Sequence, residues 1–265
     1  MGASGKTALI TGASSGIGYE LAKLFARDGH DVVLVARSEE KLAAVADELE
    51  QRYGVKAVAL AVDLARPDSP QEIYHALQQR AIPVHFLVNN AGFGLYGPFV
   101  ETDWSIEREM LQVNVVALTH LTKLLVPDMV HRGEGRILNV ASMAAFQPGP
   151  LMAIYYATKA YVLSFSEALA AELEGTGVTV TTLCPGPTKT NFDRRARLGA
   201  SKLFKRRFLM ADASTVAAAG YRGMMAGQSL VIPGWSNKLL VQGQRLAPRK
   251  LVVRVTRKLQ EPIHR

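Results

Sequence analysis

The sequence predicts an α/β protein with a doubly wound, mostly parallel sheet of about seven strands and helices on both faces. Short apolar runs of strand length alternate with helical segments, which is the pattern of consecutive strand–helix–strand units. Glycine-rich or polar residues follow several of these runs, where open parallel sheets bind their ligands. The 265 residues suit one large domain, and 48 % hydrophobic residues are ample for its core.

The expected elements follow one another in a regular order. Asp31–Ala36 is almost wholly apolar, as a strand covered on both faces should be. Ser38, followed by two glutamates, suits the start of a helix. Strands are expected at 7–11, 31–36, 57–62, 84–88, 136–141, 178–183 and 230–233. Helices are expected from the first glycine-rich turn to about 28, then at 39–53, 71–80, 103–132, from 153 onward and at 212–226.

The charge is unevenly distributed around a net value of +8. Residues 188–210 and 236–265 each hold eight basic residues and one acidic residue, so the rest of the chain is acidic overall. We expect residues 1–235 to form the domain, with 188–210 as a basic substrate lid and 236–265 as a basic helical extension. No recognition motif for nucleic acid accompanies these bases, so no nucleic-acid partner is expected.

The cysteine count, the histidine spacing and the hydropathy narrow the class of protein further. The single Cys184 cannot form an internal disulfide and suits a reducing compartment. No histidines have metal-ligand spacing, so no metal is expected. No secretion signal is seen at the start of the chain, and the uncharged stretch 137–158 is broken by Pro148-Gly149-Pro150. These features favour a cytoplasmic protein.

The stretch GASSGIG, from Gly12 to Gly18, follows the first strand and opens the first helix. Glycines there let backbone N–H groups approach a pyrophosphate, and the helix N-terminus favours an anion. A P-loop is excluded because Lys6 precedes a strand instead of a helix. The same stretch also matches the G-x-S-x-G elbow of serine hydrolases, but no histidine follows His131 until His264.

Tyr155 and Lys159 lie four residues apart on one side of the helix that begins near Ala153. A neighbouring ammonium favours the phenolate, so we expect Lys159 to lower the pKa of Tyr155 from about 10. Such a phenol can exchange a proton with a substrate oxygen. Ser142, across a Pro/Gly-rich turn, is placed to hold the same oxygen. Taken alone, the Tyr–Lys spacing is also consistent with a chance pair on a helix surface.

Together these motifs resemble those of the short-chain dehydrogenase/reductase family over about residues 7–233. The matching residues are Thr11, Gly12, Gly16 and Gly18 of the cofactor turn, Asn89–Gly92 after the fourth strand, Asn114, Ser142, Tyr155 and Lys159 of the catalytic set, and Pro185, Gly186 and Thr188 of the nicotinamide-side loop. The last thirty residues differ from the family's common ending, so the substrate is left open.

The resemblance implies a Rossmann-type fold and hydride transfer between a nicotinamide and the carbonyl or alcohol carbon of a small molecule. Tyr155 would donate the proton in reduction, and Lys159 would lower its pKa and bind the nicotinamide ribose. Ser142 would orient the substrate oxygen, and Asn114 would hold a water. A homodimer or homotetramer through the long helices is also implied. The implied cofactor-binding residues are Gly12, Ser14, Ser15, Gly16, Ile17, Gly18, Arg37, Asp63, Leu64, Asn90, Ala91, Gly92, Tyr155, Lys159, Pro185, Gly186 and Thr188.

The end of the second strand decides which nicotinamide cofactor is expected. A carboxylate there would bind a ribose 2′-hydroxyl and select NAD. This chain has Arg37, which can pair with a 2′-phosphate, so NADP(H) is expected. The alternative for Arg37 is a merely solvated side chain. A cofactor-sensing protein without catalysis is the competing function, although such proteins can lack the tyrosine that this chain keeps.

The tail predicts a basic amphipathic helix that begins at Pro248. Leu251, Val255 and Leu259 would share one side, with bases on the other. A helix this short is marginal alone in water, so it must dock. The two hypotheses are docking on the protein's own acidic body and peripheral contact with an anionic membrane.

Overall fold

The computed structural model describes residues 5–190, 192 and 210–261. A seven-stranded sheet lies at its centre, and all its neighbouring strands are parallel. Its strands are β1 (Thr7–Thr11), β2 (Asp31–Ala36), β3 (Ala57–Ala61), β4 (Phe86–Asn89), β5 (Gly135–Val140), β6 (Val178–Leu183) and β9 (Leu230–Val231). Their spatial order is β3-β2-β1-β4-β5-β6-β9. The doubly wound fold and its seven strands are therefore confirmed.

Helices connect the strands and cover both faces of the sheet. They are α1 (Gly16–Arg27), α2 (Glu39–Tyr53), α3 (Ser69–Gln79), α4 (Trp104–Leu111), α5 (Leu118–Arg132), α6 (Ala153–Glu172), α7 (Ala213–Met225), α8 (Trp235–Leu246) and α9 (Arg249–Gln260). A short 3₁₀ turn, Met143–Phe146, lies between β5 and α6. The strand order reverses at β1 and β4, so a crevice opens there at the carboxyl ends of the strands.

Two hydrophobic layers form because successive strand residues point to opposite faces. Ile10 and Leu34 pack with Phe25 of α1 on one face. Leu9 and Val33 pack on the other face in the layer that contains α3 and α5. The helical run Trp104–Arg132 has the length and apolar content of a membrane span. Its side chains Leu121, Leu125 and Met129 are buried in the second layer, which accounts for that composition.

A chain of buried hydrogen bonds crosses the second layer. The Asn89 side-chain amide of β4 donates to Thr122 of α5 at 3.0 Å and to the Asn139 side chain of β5 at 2.9 Å. The Asn139 amide donates to Ser166 of α6 at 2.9 Å. At most 3 % of each of these four residues is exposed. The bonds tie two helices to the sheet within an otherwise apolar layer, although the Asn89 side-chain oxygen is buried without a hydrogen-bond partner.

Three expectations about the elements need correction. The helix expected at 103–132 is interrupted by a π-helical turn, Gln112–Ala117, which contains Asn114. Ser38 precedes α2 as expected, but its side chain makes no capping hydrogen bond. The C-terminal extension consists of two helices, and its first helix begins at Trp235, one residue before the expected boundary.

The expected substrate lid can be assessed only at its ends. Residues 191 and 193–209 lie outside the described residues. β7 (Thr188–Lys189) and β8 (Ala211–Asp212), on either side of that segment, pair in a short parallel ladder. This ladder joins the segment's two ends beside the carboxyl edge of β6.

Candidate active site

A cleft of about 1140 Å³ opens at the carboxyl edge of the sheet. It runs from the turn after β1, past the start of α6, to helices α8 and α9. The predicted site residues that line it are Gly12, Ser14, Ser15, Gly16, Ile17, Arg37, Asp63, Leu64, Asn90, Ala91, Gly92, Ser142, Tyr155, Lys159, Pro185, Gly186 and Thr188. Gly18 and Asn114 do not line it; they lie behind its wall.

The glycine-rich turn has the shape that an anion-binding loop needs. Gly12 and Gly16 have φ angles of +68° and +59°, which side chains other than hydrogen rarely allow. A Cβ on Gly18 would lie 2.4 Å from the Gly12 carbonyl oxygen, so Gly18 permits the close approach of α1 to the turn. The Ser15 side chain makes no capping bond, although Ser15 is the N-cap of α1. Its hydroxyl therefore remains available to a ligand at this helix terminus.

Thr11 and Asn90 lock the turn against the neighbouring strand. The Thr11 hydroxyl accepts hydrogen bonds from the backbone N–H groups of Asn90 and Ala91, both at 3.0 Å. The Asn90 side chain donates to the Thr11 carbonyl oxygen at 2.9 Å and to that of Gly12 at 3.3 Å. The side-chain amide of Asn90 therefore holds the cradle in place, while the residue itself borders the cleft.

Arg37 and Lys41 form a cationic corner of the cleft at the end of β2. Arg37 is exposed there, as expected from the sequence. Sequence analysis missed Lys41 and the ligand-facing role of Ser38, which line the same corner. Since the Ser38 side chain makes no capping hydrogen bond, its hydroxyl lines this corner of the cleft together with the cationic side chains of Arg37 and Lys41. The signal was the i, i+3 spacing of Ser38 and Lys41 across the first turn of α2.

Ser142, Tyr155 and Lys159 meet in the middle of the cleft. Ser142 ends the loop after β5, and its hydroxyl accepts a hydrogen bond from the Ala144 N–H at 3.1 Å. Lys159 donates from Nζ to the Val140 carbonyl oxygen at 2.8 Å. Its Nζ lies 5.8 Å from the centre of the Tyr155 ring. The turn of α6 between residues 155 and 159 thus brings both groups to one wall, as the spacing predicts.

Burial dominates the protonation of this pair. It raises the pKa of Tyr155, and a hydrogen bond with Ser142 opposes that shift. Burial also lowers the pKa of Lys159 to about 8. The expected lowering of the Tyr155 pKa is therefore not seen in this structure, because the cost of desolvating a phenolate dominates the shift. Tyr155 consequently keeps its proton at neutral pH.

The Asn114 side chain holds the backbone of Phe93, beside the cleft, by hydrogen bonds. It is 1 % exposed, and its side chain accepts a bond from the Phe93 N–H at 3.1 Å. Its amide donates to the Phe93 carbonyl oxygen at 2.9 Å and to Thr158 at 3.1 Å. A Cβ on Gly92 would lie 3.0 Å from the Asn114 side-chain oxygen and 3.4 Å from Lys159 Nζ. Asn114 thus clamps the strand exit of β4 to α6, directly behind Lys159.

The far end of the cleft is formed by residues that sequence analysis did not assign to the site. Tyr156 is buried, and its hydroxyl accepts a hydrogen bond from the Gln260 side chain at the end of α9. Tyr96 donates from its hydroxyl to the Gln260 carbonyl oxygen. The apolar walls come from both terminal helices and include Trp235, Leu239, Leu240, Leu251, Val252, Val255 and Leu259. The amphipathic pattern of the tail revealed a docked helix, but it could not reveal which surface receives it.

Cys184 lies behind the catalytic wall and fits its expected role as a small buried hydrophobe. It is 0 % exposed, and burial raises its pKa to about 12. A thiol in that state is a poor nucleophile at neutral pH.

Comparisons with known proteins agree with this geometry. A family model described as short chain dehydrogenase matches residues 6–200. A short chain dehydrogenase of Pseudocercospora fijiensis is 40 % identical over 70 % of this chain, which spans 60 % of that relative. A very-long-chain 3-oxoacyl-CoA reductase of Phaeosphaeria nodorum is 33 % identical over 100 % of this chain and 79 % of its own length.

Solved structures show the same fold. A short-chain dehydrogenase from Sphingobium yanoikuyae in complex with NADPH is 35 % identical, with a TM-score of 0.82 over 91 % of this chain and 93 % of that one. A short chain dehydrogenase/reductase from Burkholderia phymatum in complex with NAD is 26 % identical, with a TM-score of 0.83 over 100 % of both chains. Similar structures therefore include complexes with either nicotinamide cofactor.

Proposed function

Because this chain belongs to the short-chain dehydrogenase/reductase family, we propose that it is an NADPH-dependent reductase of carbonyl groups on long apolar chains, such as 3-oxoacyl thioesters. The chain is an oxidoreductase that acts on carbonyl or alcohol groups with a nicotinamide cofactor. Two finer points, the preference for NADPH and the apolar chain of the substrate, rest on particular residues of the cleft.

The preference for NADPH is supported by the cationic corner of Arg37, Ser38 and Lys41. When bound, the cofactor supplies the hydride. The turn from Gly12 to Gly18 would hold its pyrophosphate, and Asp63 with Leu64 would border its adenine. The guanidinium of Arg37 can form charge-assisted hydrogen bonds with a 2′-phosphate, and no carboxylate stands at its position to bind a free 2′-hydroxyl.

Proton transfer is assigned to Tyr155. Its raised pKa keeps the phenol protonated, so it can donate a proton to the substrate oxygen as the carbonyl carbon is reduced. Ser142 would hold that oxygen by a second hydrogen bond. Lys159, fixed by the Val140 carbonyl, would stabilise the phenolate left behind. Asn114 would keep the chain around Gly92 in place behind Lys159, and its expected role in holding a water belongs to the same proposal.

One observation carries the substrate class: the cleft continues without a break from the catalytic residues to the apolar walls of α8 and α9. A short polar carbonyl compound would leave this extension unfilled. An alkyl chain would cover Leu240, Val252 and Val255 there, and burial of each methylene is worth about 0.8 kcal/mol. The name of the Phaeosphaeria nodorum relative gives independent support for an acyl substrate.

We also infer a cytoplasmic homodimer or homotetramer, since members of this family are typically oligomeric. The outer surface of α6 carries Tyr161 stacked on Phe165 at 5.8 Å between ring centres, and Tyr161 is exposed. Val116, on the neighbouring π-helical turn, is exposed as well. These side chains suit contact with the same helices of a second copy.

A chain-length series tests the proposal. NADPH oxidation would be followed with 3-oxoacyl thioesters of increasing acyl length, with NADH in parallel. We expect kcat/KM to rise by up to about fourfold per methylene until the cleft is filled. Equal kcat/KM for short and long chains would contradict the assignment of the apolar extension to substrate.

Tyr155→Phe is the control for chemistry. It should bind NADPH almost as well as the wild type and lose most turnover, because only the proton donor is removed. If the wild-type protein binds NADPH but reduces no member of the series, the alternative of a non-catalytic cofactor sensor gains support.

A further inference from the structure

The terminal helices expose an unusual amount of apolar surface. Thirteen large apolar side chains are exposed in the described residues, and seven of them belong to α8 and α9. The seven are Trp235, Leu239, Leu240, Leu246, Leu251, Val255 and Leu259. Three more are Phe99 and Val100, in the loop that leads into α4, and Trp104, the first residue of that helix. Apolar exposure concentrated in this way marks an interaction surface.

Both tryptophans of the chain lie on this surface. Trp104 is 62 % exposed and Trp235 is 76 % exposed. Tryptophan is usually largely buried in soluble proteins, and it is enriched where an apolar phase meets water. The two residues belong to different parts of the chain. Two separate segments of the chain therefore each expose a tryptophan to solvent.

The sides of α9 differ in chemical character. Thr256 and Gln260 are buried against the body of the protein. Leu251, Val255 and Leu259 form an adjacent stripe, half exposed, which borders the mouth of the cleft. The remaining surface carries exposed bases at Arg249, Lys250, Arg254, Arg257 and Lys258. Arg254 and Lys258 directly precede Val255 and Leu259 in sequence, so cations flank the apolar stripe.

The loop and the terminal helices meet at one point. Tyr96 donates a hydrogen bond to the Gln260 carbonyl oxygen at the end of α9, and the loop 97–104 begins at the next residue. The loop that carries Phe99 and Val100 and leads to Trp104 therefore starts beside the end of α9. We call the ten exposed apolar residues of α8, α9 and this loop the mouth surface.

We infer that the mouth surface docks on an anionic lipid bilayer, with the bases of α9 at the headgroups and the apolar residues inserted beneath them. This inference rests on the proposed function, because it names the phase from which an apolar acyl substrate enters the cleft. Helix α9 contains five bases and no acid. Anionic headgroups match that charge, and the acyl region beneath them matches Leu251, Val255 and the tryptophans.

A second copy of this chain is a poorer match for the mouth surface. Symmetric self-association would place α9 against α9, or close to it, and bring five bases toward five bases. Like charges held together in this way oppose association at low salt. An anionic bilayer binds more tightly at low salt, so the two occupants respond to salt in opposite directions.

The tryptophans provide a direct probe of docking. Full-length protein would be mixed with vesicles of phosphatidylcholine alone or with one-third phosphatidylglycerol, each containing brominated acyl chains that quench tryptophan fluorescence. We expect quenching and a blue shift with the anionic vesicles, lost at high salt, and little change with neutral vesicles. Absence of quenching at low salt on anionic vesicles would overturn the proposal.

Two triple variants separate the bases of α9 from total charge. The variant K250Q/R254Q/K258Q should lower the partition coefficient on the order of 100-fold, from about 1 kcal/mol per base. The control R52Q/K56Q/R80Q removes the same charge from exposed positions at the end of α2, just before β3 and just after α3, and should change the partition coefficient far less. Equal losses in both variants would mean that net charge alone drives binding, which would contradict a docking face.

Lipid-free assays keep this test apart from that of the function. Reduction of a water-soluble ketone by NADPH without vesicles, together with absent quenching, would reject docking and leave the function intact. Quenching without any carbonyl reduction would reject the function and leave docking intact. A lipid-free blue shift that grows with protein concentration would show that a second copy covers the mouth surface and would overturn the proposal.

Discussion

At the scale of single residues, the cleft wall that carries Tyr155 and Lys159 keeps both side chains almost completely out of contact with solvent. Tyr155 is 9 % exposed and Lys159 is 5 % exposed. The sequence alone predicts that these two side chains lie on one side of a helix, because they are four residues apart. The direction in which the pKa of Tyr155 shifts cannot be predicted from this spacing. It depends on how far the folded chain excludes water from the side chain, which no local pattern shows.

Lys159 should make the stability of the cofactor-free protein depend on pH. The unfolded chain holds this proton up to a pKa near 10.5, while the folded chain releases it at about 8. Since the unfolded state binds more protons between these values, the contribution of Lys159 to stability rises with pH over that interval. The change in the free energy of unfolding caused by Lys159→Met should therefore be most stabilising below pH 8. It should become less stabilising as the pH rises toward 10.5.

Urea unfolding at pH 7 and pH 10 measures this difference. The matched control is Lys123→Met on the exposed side of α5, for which we expect no such change between the two pH values. A Lys159→Met difference that stays constant from pH 7 to pH 10 would mean that the folded and unfolded chains hold this proton equally, so that burial does not lower the pKa of Lys159.

Arg37 should discriminate between the two nicotinamide cofactors. Arg37→Asp replaces a partner of the 2′-phosphate by a like charge, and each lost charge-assisted hydrogen bond is worth about 1.5–3 kcal/mol. The Kd for NADPH should rise by at least about tenfold, while that for NADH should change little. Fluorescence titration measures both constants.

Arg52→Asp, at the opposite end of α2, is the matched control for Arg37 and should leave both constants unchanged. A parallel loss of NADH and NADPH in Arg37→Asp would show that Arg37 supports the fold of the corner instead of binding the phosphate.

At the scale of elements, regular strands and helices were predictable because apolar periodicity fixes them. Asp31–Ala36 and Val178–Leu183 have the same bounds in the structure as in the sequence analysis. The π-helical turn at Gln112–Ala117 was not predictable, since its residues also suit an α-helix. Helix α8 was not specified either, because Trp235 and Leu239 face outward and give no buried stripe.

The end of α9 should control access to the cleft more than chemistry. Gln260→Leu removes the side-chain donor to the buried Tyr156 hydroxyl and leaves Gln147 as its remaining side-chain partner. We expect a several-fold higher KM for long-chain substrates and an unchanged kcat for a short soluble ketone, because α9 borders only the apolar extension. Steady-state kinetics with both substrates measure this separation.

Tyr96→Phe tests the backbone contact of the same helix end and should have the same, weaker effect. If Gln260→Leu lowers kcat equally for both substrates, then Tyr156 transmits the change to Tyr155 and α9 takes part in positioning the proton donor.

At the scale of the whole molecule, the site was easier to predict than its surroundings. Seventeen predicted residues converge because the carboxyl ends of parallel strands meet at one edge. Lys41 and Tyr156, which line the cleft, and Gln260, which donates to Tyr156, were missed because their positions depend on tertiary packing that no neighbouring motif records. The buried amides of Asn89 and Asn139 escaped notice for the same reason, since each looks like an ordinary polar residue at a strand end.

The hydrogen-bond chain through Asn139 should contribute measurably to global stability. Asn139→Ala removes bonds to Asn89 and Ser166 and leaves a cavity, so we expect a loss of about 2–4 kcal/mol in the free energy of unfolding. Thr181→Val is the contrasting change, because the buried Thr181 hydroxyl has no hydrogen-bond partner. It should be neutral or stabilising in the same urea titration. Equal losses in the two variants would assign the effect to packing alone.

The amide pair also bears on how β4 and β5 find each other during folding. Asn89 lies opposite Asn139, and Val88 lies opposite Leu138. A shift of one residue would exchange the side chains of the two buried faces, and the close packing of each layer opposes that exchange. A shift of two residues would return every side chain to its correct face, so hydrophobicity alone could not detect the error. It would, however, separate the two asparagines and leave their side-chain amides surrounded by aliphatic side chains. The pair thus distinguishes the native alignment from the one mistake that the alternating pattern tolerates.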